Sequence, residues 1–80
     1  MRGKKVEILR FLKEGPQTSY DIYRLLGAET EGQKANVRKL LSELRNKGLI
    51  MKVPKSPYWA ITSKGLKVLE CVELLEEVER

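Results

Sequence analysis

The sequence has no histidine and a single cysteine, Cys71. With no second thiol there is no internal disulfide, and with no histidine no Cys/His metal site can be assembled. There is no glycine-rich phosphate cradle and no nucleophile elbow. The carboxylates cluster toward the C-terminus at solvent-facing spacings instead of pairing as acid and base. The expectation is a protein that is not an enzyme and takes no metal or cofactor. No stretch approaches the roughly 18 apolar residues of a membrane span. The charged first residues lack the apolar run of a secretory signal. A soluble protein without membrane contact is expected, cytoplasmic or, if viral, in the host cytoplasm or the virion.

Eighty residues make one domain, 1–80, with a core barely large enough to stand alone. Charge is unevenly spread. The chain carries +5, but residues 70–80 set five glutamates against Arg80 for −4, leaving +9 on residues 1–69. A basic body of this kind suits a polyanion, and the acidic end suits another task.

The most informative stretch runs from Thr30 to Ile50. Thr30 followed by Gln33 has the spacing of a capping box, and Lys47-Gly48 has the form of a helix end, so a helix is expected over 31–47. Val37, Leu40, Leu41 and Leu44 fall on one side of it. The other side carries Ala35, Arg38, Lys39, Ser42 and Asn46, flanked by Lys34 and Arg45. Cations for phosphates, with Arg, Asn and Ser for base edges, equip such a helix for the major groove of DNA. The plainer alternative is a solvated charged face.

Around this helix the chain reads as follows. A first helix is expected over 4–14, with Val6, Ile8, Leu9, Phe11 and Leu12 apolar and Gly15-Pro16 as its stop. A second, over 18–26, is capped by Thr18 or Ser19. It buries Ile22, Leu25 and Leu26 and leaves Tyr20 and Tyr23 at its flanks. Gly27 to Gly32 form the turn into the third helix, so the pair has helix-turn-helix form. Two β-branched and aromatic runs, Leu49–Val53 and Tyr58–Thr62, form a hairpin over 49–62 with a proline-stiffened tip. Trp59 and Ile61 share its inward face. A last helix over 63–80 bears two apolar strips. Leu66, Leu69 and Val72 are assigned to the domain's own core. Val68, Cys71, Leu75 and Val78, spaced by three and four residues, are assigned to a seam with a second copy. Cys71 itself is read as a small buried apolar residue.

The fold class expected is mainly α with a small β-hairpin (α+β). The segments LLSELRNKGLI and YWAITSKGLKVLE resemble the L..L...GL and Y.LT.KG...L signatures of small prokaryotic regulators, the MarR-, ArsR- and PadR-type transcription factors and many archaeal and archaeal-virus proteins. TSYDIYRLL is similar to the second helix of the PadR type. The resemblance implies a winged helix-turn-helix with a C-terminal dimerisation helix, binding double-stranded DNA as a homodimer and acting as a transcriptional regulator, a repressor above all. It implies a recognition helix that uses Gln33, Lys34, Asn36, Arg38, Lys39, Ser42 and Arg45. The wing would use Lys52, Lys55 and Ser56, and the start of the second helix Thr18, Ser19 and Tyr20. The metal-binding Cys and His residues of the ArsR type are absent, as are the extra helices that form the MarR ligand cleft. The alternatives are a winged-helix protein or RNA interaction module of a transcription or replication assembly, and a non-specific architectural DNA-binding protein.

Overall fold

In the computed structural model, which describes residues 3–79 and only the backbone of 76–79, helix α1 spans Lys4–Lys13. Ile8, Leu9 and Leu12 recur at helical spacing and are all buried. The chain then passes through Gly15-Pro16 into a two-residue strand, β1 (Gln17–Thr18), which the sequence reading did not foresee. Helix α2 follows as Ser19–Leu26, capped by Thr18. Helix α3 spans Glu31–Asn46, capped by Thr30. Strands β2 (Ile50–Lys52) and β3 (Tyr58–Ile61) lead into helix α4 (Ser63–Glu79). Among the described residues the fold is thus α+β, with four helices and one antiparallel sheet in the order β1-β3-β2.

Strand β3 is central. It pairs Trp59 with Gln17 on one side and with Lys52 on the other. A two-residue strand after a proline has no alternating pattern to announce it. Its pairing is supplied by β3, whose second edge would otherwise be open.

Both inner helices begin and end through local chemistry. Thr18 and Asp21 form a reciprocal capping box at α2, and Thr30 and Gln33 form one at α3. At the end of α3, Gly48 adopts φ 77°, a left-handed conformation that costs glycine little. Its N–H donates to the Arg45 carbonyl at 2.9 Å, and the Leu49 N–H donates to that of Leu44 at 3.0 Å. This is a Schellman turn, and its apolar partners Leu44 and Leu49 both enter the core. The α2–α3 turn is shorter than expected, because Gly32 lies within the first turn of α3.

The core joins Ile8, Leu9 and Leu12 to Ile22, Val37, Leu41, Leu44, Leu49, Ile50 and Leu69. Leu40, Trp59 and Ile61 pack against it half-buried. Three expectations are corrected. Leu25 is exposed, because Ile22, Tyr23 and Leu26 turn the short α2 so that Leu25 falls at its edge, beside Phe11. On α4, Leu66 is exposed while Val68 packs on the chain's own core, which reverses their assigned strips. Cys71 is exposed as well. The rotation of α4 is set by Gly65, which is buried directly against the Leu49 carbonyl. With Gly65 inward, Val68, Leu69 and Val72 follow it inward. Cys71 and Leu74 then face outward, and Leu75, about 20° round the axis from Val68 but two turns further along, is exposed beside them, while the side chain of Val78 lies outside the described residues.

Candidate nucleic-acid interface

Helix α3 presents its polar side away from the core. Arg38, Lys39, Ser42 and Arg45 are exposed, and Lys34 is half-buried. At 100° per residue, Lys34, Arg38, Ser42 and Arg45 fall within about 80° of one another, so they form one strip. Asn36 does not join it. It lies about 160° round the axis from Arg38, on the flank where a small cleft is lined by Lys4, Gly27, Gln33 and Asn36. Gln33 is exposed, but its side-chain oxygen accepts the N–H groups of Glu29 at 2.8 Å and Thr30 at 3.0 Å. Its carbonyl is therefore occupied in starting the helix.

Arg38 is held from two directions. Its Nη1 donates to the Tyr23 hydroxyl of α2 at 3.3 Å, and its Nη2 lies 3.9 Å from a Glu31 carboxylate oxygen. Tyr23 also carries the Lys34 ammonium 5.9 Å from its ring centre, within cation–π range. Tyr20, 70% exposed, meets the Tyr23 ring edge-on at 6.2 Å.

A second cluster forms where the sheet meets the start of α2. The Trp59 indole N–H donates to Ser19 Oγ at 3.1 Å, and the Lys52 ammonium sits 5.0 Å from the Trp59 ring centre. Since Ser19 Oγ accepts from the indole, its own O–H is left to donate elsewhere. Thr18 is more fully engaged. Its hydroxyl donates to the Asp21 carboxylate at 2.9 Å and accepts the Asp21 N–H at 3.2 Å.

At the hairpin tip, Val53, Pro54, Lys55 and Ser56 make a β-turn closed by a Ser56 N–H bond to the Val53 carbonyl at 3.2 Å. Proline suits its second position, and the third, Lys55, has φ 58°. The Ser56 hydroxyl donates to the same carbonyl at 2.9 Å and accepts the Tyr58 N–H at 3.3 Å. Ser56 thus closes the turn, and Lys55 is the side chain that the tip presents.

The contacts Lys52–Trp59–Ser19 and Tyr20–Tyr23–Arg38, with Lys34, meet at the Ser19-Tyr20 junction. They make one belt of interleaved cations and aromatics running from β2 over the start of α2 to α3. In the sequence Glu31 was not singled out, Tyr23 was read as a flank residue of α2, and Trp59 as an inward residue of the hairpin. Tyr23 and Arg38 are fifteen positions apart and Ser19 and Trp59 forty, so no local spacing signals either contact.

Behind the belt, Lys5 of α1 donates to Glu43 of α3 at 2.9 Å. This hydrogen bond, together with the charge of Lys5 and more weakly those of Lys39 and Lys47, holds the Glu43 carboxyl below the usual glutamate range. Further along α1, Arg10 and Lys13 lie 3.8 and 3.9 Å from the Glu73 carboxylate of α4.

No protein-family model, curated protein or solved structure matches the chain. Among the described residues no helix is long and apolar enough to cross a membrane.

Proposed function

We propose that the protein is a winged-helix regulator of transcription that binds double-stranded DNA as a homodimer. The observation that carries this reading is the belt of cations and aromatics across α3, α2 and the hairpin, on a body of +9 charge. In this reading α3 enters the major groove. Arg38 reads a base edge, with guanine offering two acceptors to a guanidinium. Ser42 lies beside it, while Lys39 and Arg45 neutralise phosphates. Ser19 and Tyr20 approach the backbone at the start of α2, and the hairpin is the wing, with Lys55 reaching the adjacent strand.

The exposed apolar strip of α4 is the dimerisation surface. Leu74 and Leu75 are 55% and 62% exposed on it. Burying the remaining surface of each against a second copy contributes about 1–2 kcal/mol. The ion pairs of α1 with Glu43 and Glu73 support an arrangement in which α1 lies between α3 and α4, so the acidic end is held off the nucleic acid. A twofold dimer then sets two recognition helices about 34 Å apart over a pseudo-palindromic site. Repression follows where that site overlaps a promoter.

Titrating a duplex with the protein at several salt concentrations tests the reading. Each phosphate neutralised should contribute about −0.9 to the slope of log K against log salt. Affinity that ignores salt, or no affinity for duplex, favours the protein-interaction module. Preference for RNA over DNA of the same sequence favours the RNA module. Equal affinity for all duplexes favours the architectural protein.

A further inference from the structure

We propose that Tyr23 and Glu31 set the specificity of Arg38, Tyr23 as a positioning residue for its guanidinium and Glu31 as a counter-charge that Arg38 exchanges for a base edge. This inference rests on the DNA-binding reading and names a discriminating device within it. Arginine is a long side chain, and ordering it on binding opposes affinity. Here one end is tethered before any ligand arrives, by the Tyr23 hydroxyl at 3.3 Å.

The tether is itself fixed. Tyr23 packs half-buried against the core, and its carbonyl accepts the Ala28 N–H at 2.8 Å in the turn that ends α2. The edge of Tyr20 and the ammonium of Lys34 hold the ring. Because a guanidinium has five donors in one plane, a bond to Tyr23 leaves a fork free to meet two acceptors.

Glu31 works differently. Its carboxylate is 85% exposed and 3.9 Å from Arg38, a loose pair that water competes with readily. Arg38 leaves it at little cost where a base offers two acceptors. Where the base offers none, the carboxylate stays near the strip and repels phosphate. It therefore weakens binding to unsuited sequences more than to suited ones.

The experiment compares two duplexes of equal length, one selected by the wild type from a randomised pool and one with the same bases scrambled. Dissociation constants are measured for the wild type, Tyr23→Phe, Arg38→Ala, the double variant and Glu31→Gln, with helix content followed by circular dichroism. Tyr23→Phe keeps the ring and its contacts and removes only the hydroxyl. It is expected to lower the selected-to-scrambled affinity ratio about tenfold, within the range of one lost bidentate contact. It should leave the salt slope alone, since no charge is removed. In the Arg38→Ala background it should change nothing further. Glu31→Gln is expected to strengthen scrambled binding about threefold and selected binding less. If Tyr23→Phe weakens both duplexes equally, or acts as strongly without Arg38, Tyr23 is merely structural and its role is overturned. An unchanged ratio in Glu31→Gln overturns the counter-charge. Salt-dependent binding with no sequence emerging from the pool overturns this inference and leaves the DNA-binding reading standing. No binding to any duplex overturns both.

Discussion

Gly65 of α4 sits so close to the carbonyl oxygen of Leu49 that a β-carbon at that position would overlap it, and would stand 2.7 Å from Cγ1 of Ile61. The approach is organised by Thr62. Its hydroxyl donates to the Gly48 carbonyl at 2.6 Å and accepts the Gly65 N–H at 3.0 Å, joining the end of α3 to the start of α4. Since backbone is the obstacle, Gly65→Ala is expected to cost about 2–3 kcal/mol. For a domain of this size the melting temperature should fall by about 10–20 °C. Gly32→Ala is the control, because its β-carbon would meet only the Thr30 hydroxyl at 4.0 Å. It is expected to stabilise α3 by about 0.5–1 kcal/mol. Calorimetry on the two variants checks both signs.

The Lys5–Glu43 bridge has a defined pH dependence. The Lys5 hydrogen bond and charge lower the Glu43 pKa in the folded protein, so folding favours the ionised form. The bridge contributes fully above the unfolded glutamate value, about 4.3, and its contribution is lost as pH falls through the depressed folded value. Glu43→Gln should therefore be less stable than wild type at pH 7, with the difference shrinking through the acid range. Urea melts of both proteins across that range measure it, and a pH-independent difference would remove the bridge as its cause.

Lys55 lets fold and function be separated at one position. A non-glycine residue at φ 58° carries backbone strain, of about 1–3 kcal/mol in sparsely populated regions. Lys55→Gly relieves it but loosens the unfolded chain, so a net gain of about 0.5–1 kcal/mol is expected. If the hairpin tip touches phosphate, the same variant should bind all duplexes more weakly and shed about one unit of salt slope. A variant that melts higher and binds unchanged would place the tip away from the nucleic acid.

The two ends of one strip of α4 make contrasting predictions, since Val68 and Leu75, two turns apart, lie about 20° from each other round its axis. Leu75 is exposed while Val68 packs on the chain's own core. Leu75→Glu should convert the proposed dimer to monomer in sedimentation while keeping the helical content of the wild type. Val68→Glu should instead lower the melting temperature of the domain itself, since it sets a charge half-buried against the core. A wild type that sediments as a monomer at micromolar concentration would remove the dimer from the proposal.

The sequence by itself determined what local chemistry can determine. Thr30 and Gln33 start a helix through a hydroxyl and an amide three residues from their targets, and Gly48 ends it because glycine alone tolerates its left-handed turn cheaply. Period carried the buried face of α3, Val37, Leu41 and Leu44, and the existence of the β2–β3 hairpin. These signals lie within one element and need no knowledge of where the next one packs. Tertiary structure decided what depends on close approach. The pairing of Gln17 with Trp59 makes a strand from residues with no strand pattern. The contact of Gly65 with Leu49 turns α4 so that Val68 faces in and Leu66 out, although periodicity treats its two strips alike. The same holds for the candidate site. The strip of Arg38, Ser42 and Arg45 was legible from helical spacing, but its partners were not. Tyr23 reaches Arg38, and Trp59 reaches Ser19, only because separate elements are pressed together by the shared core.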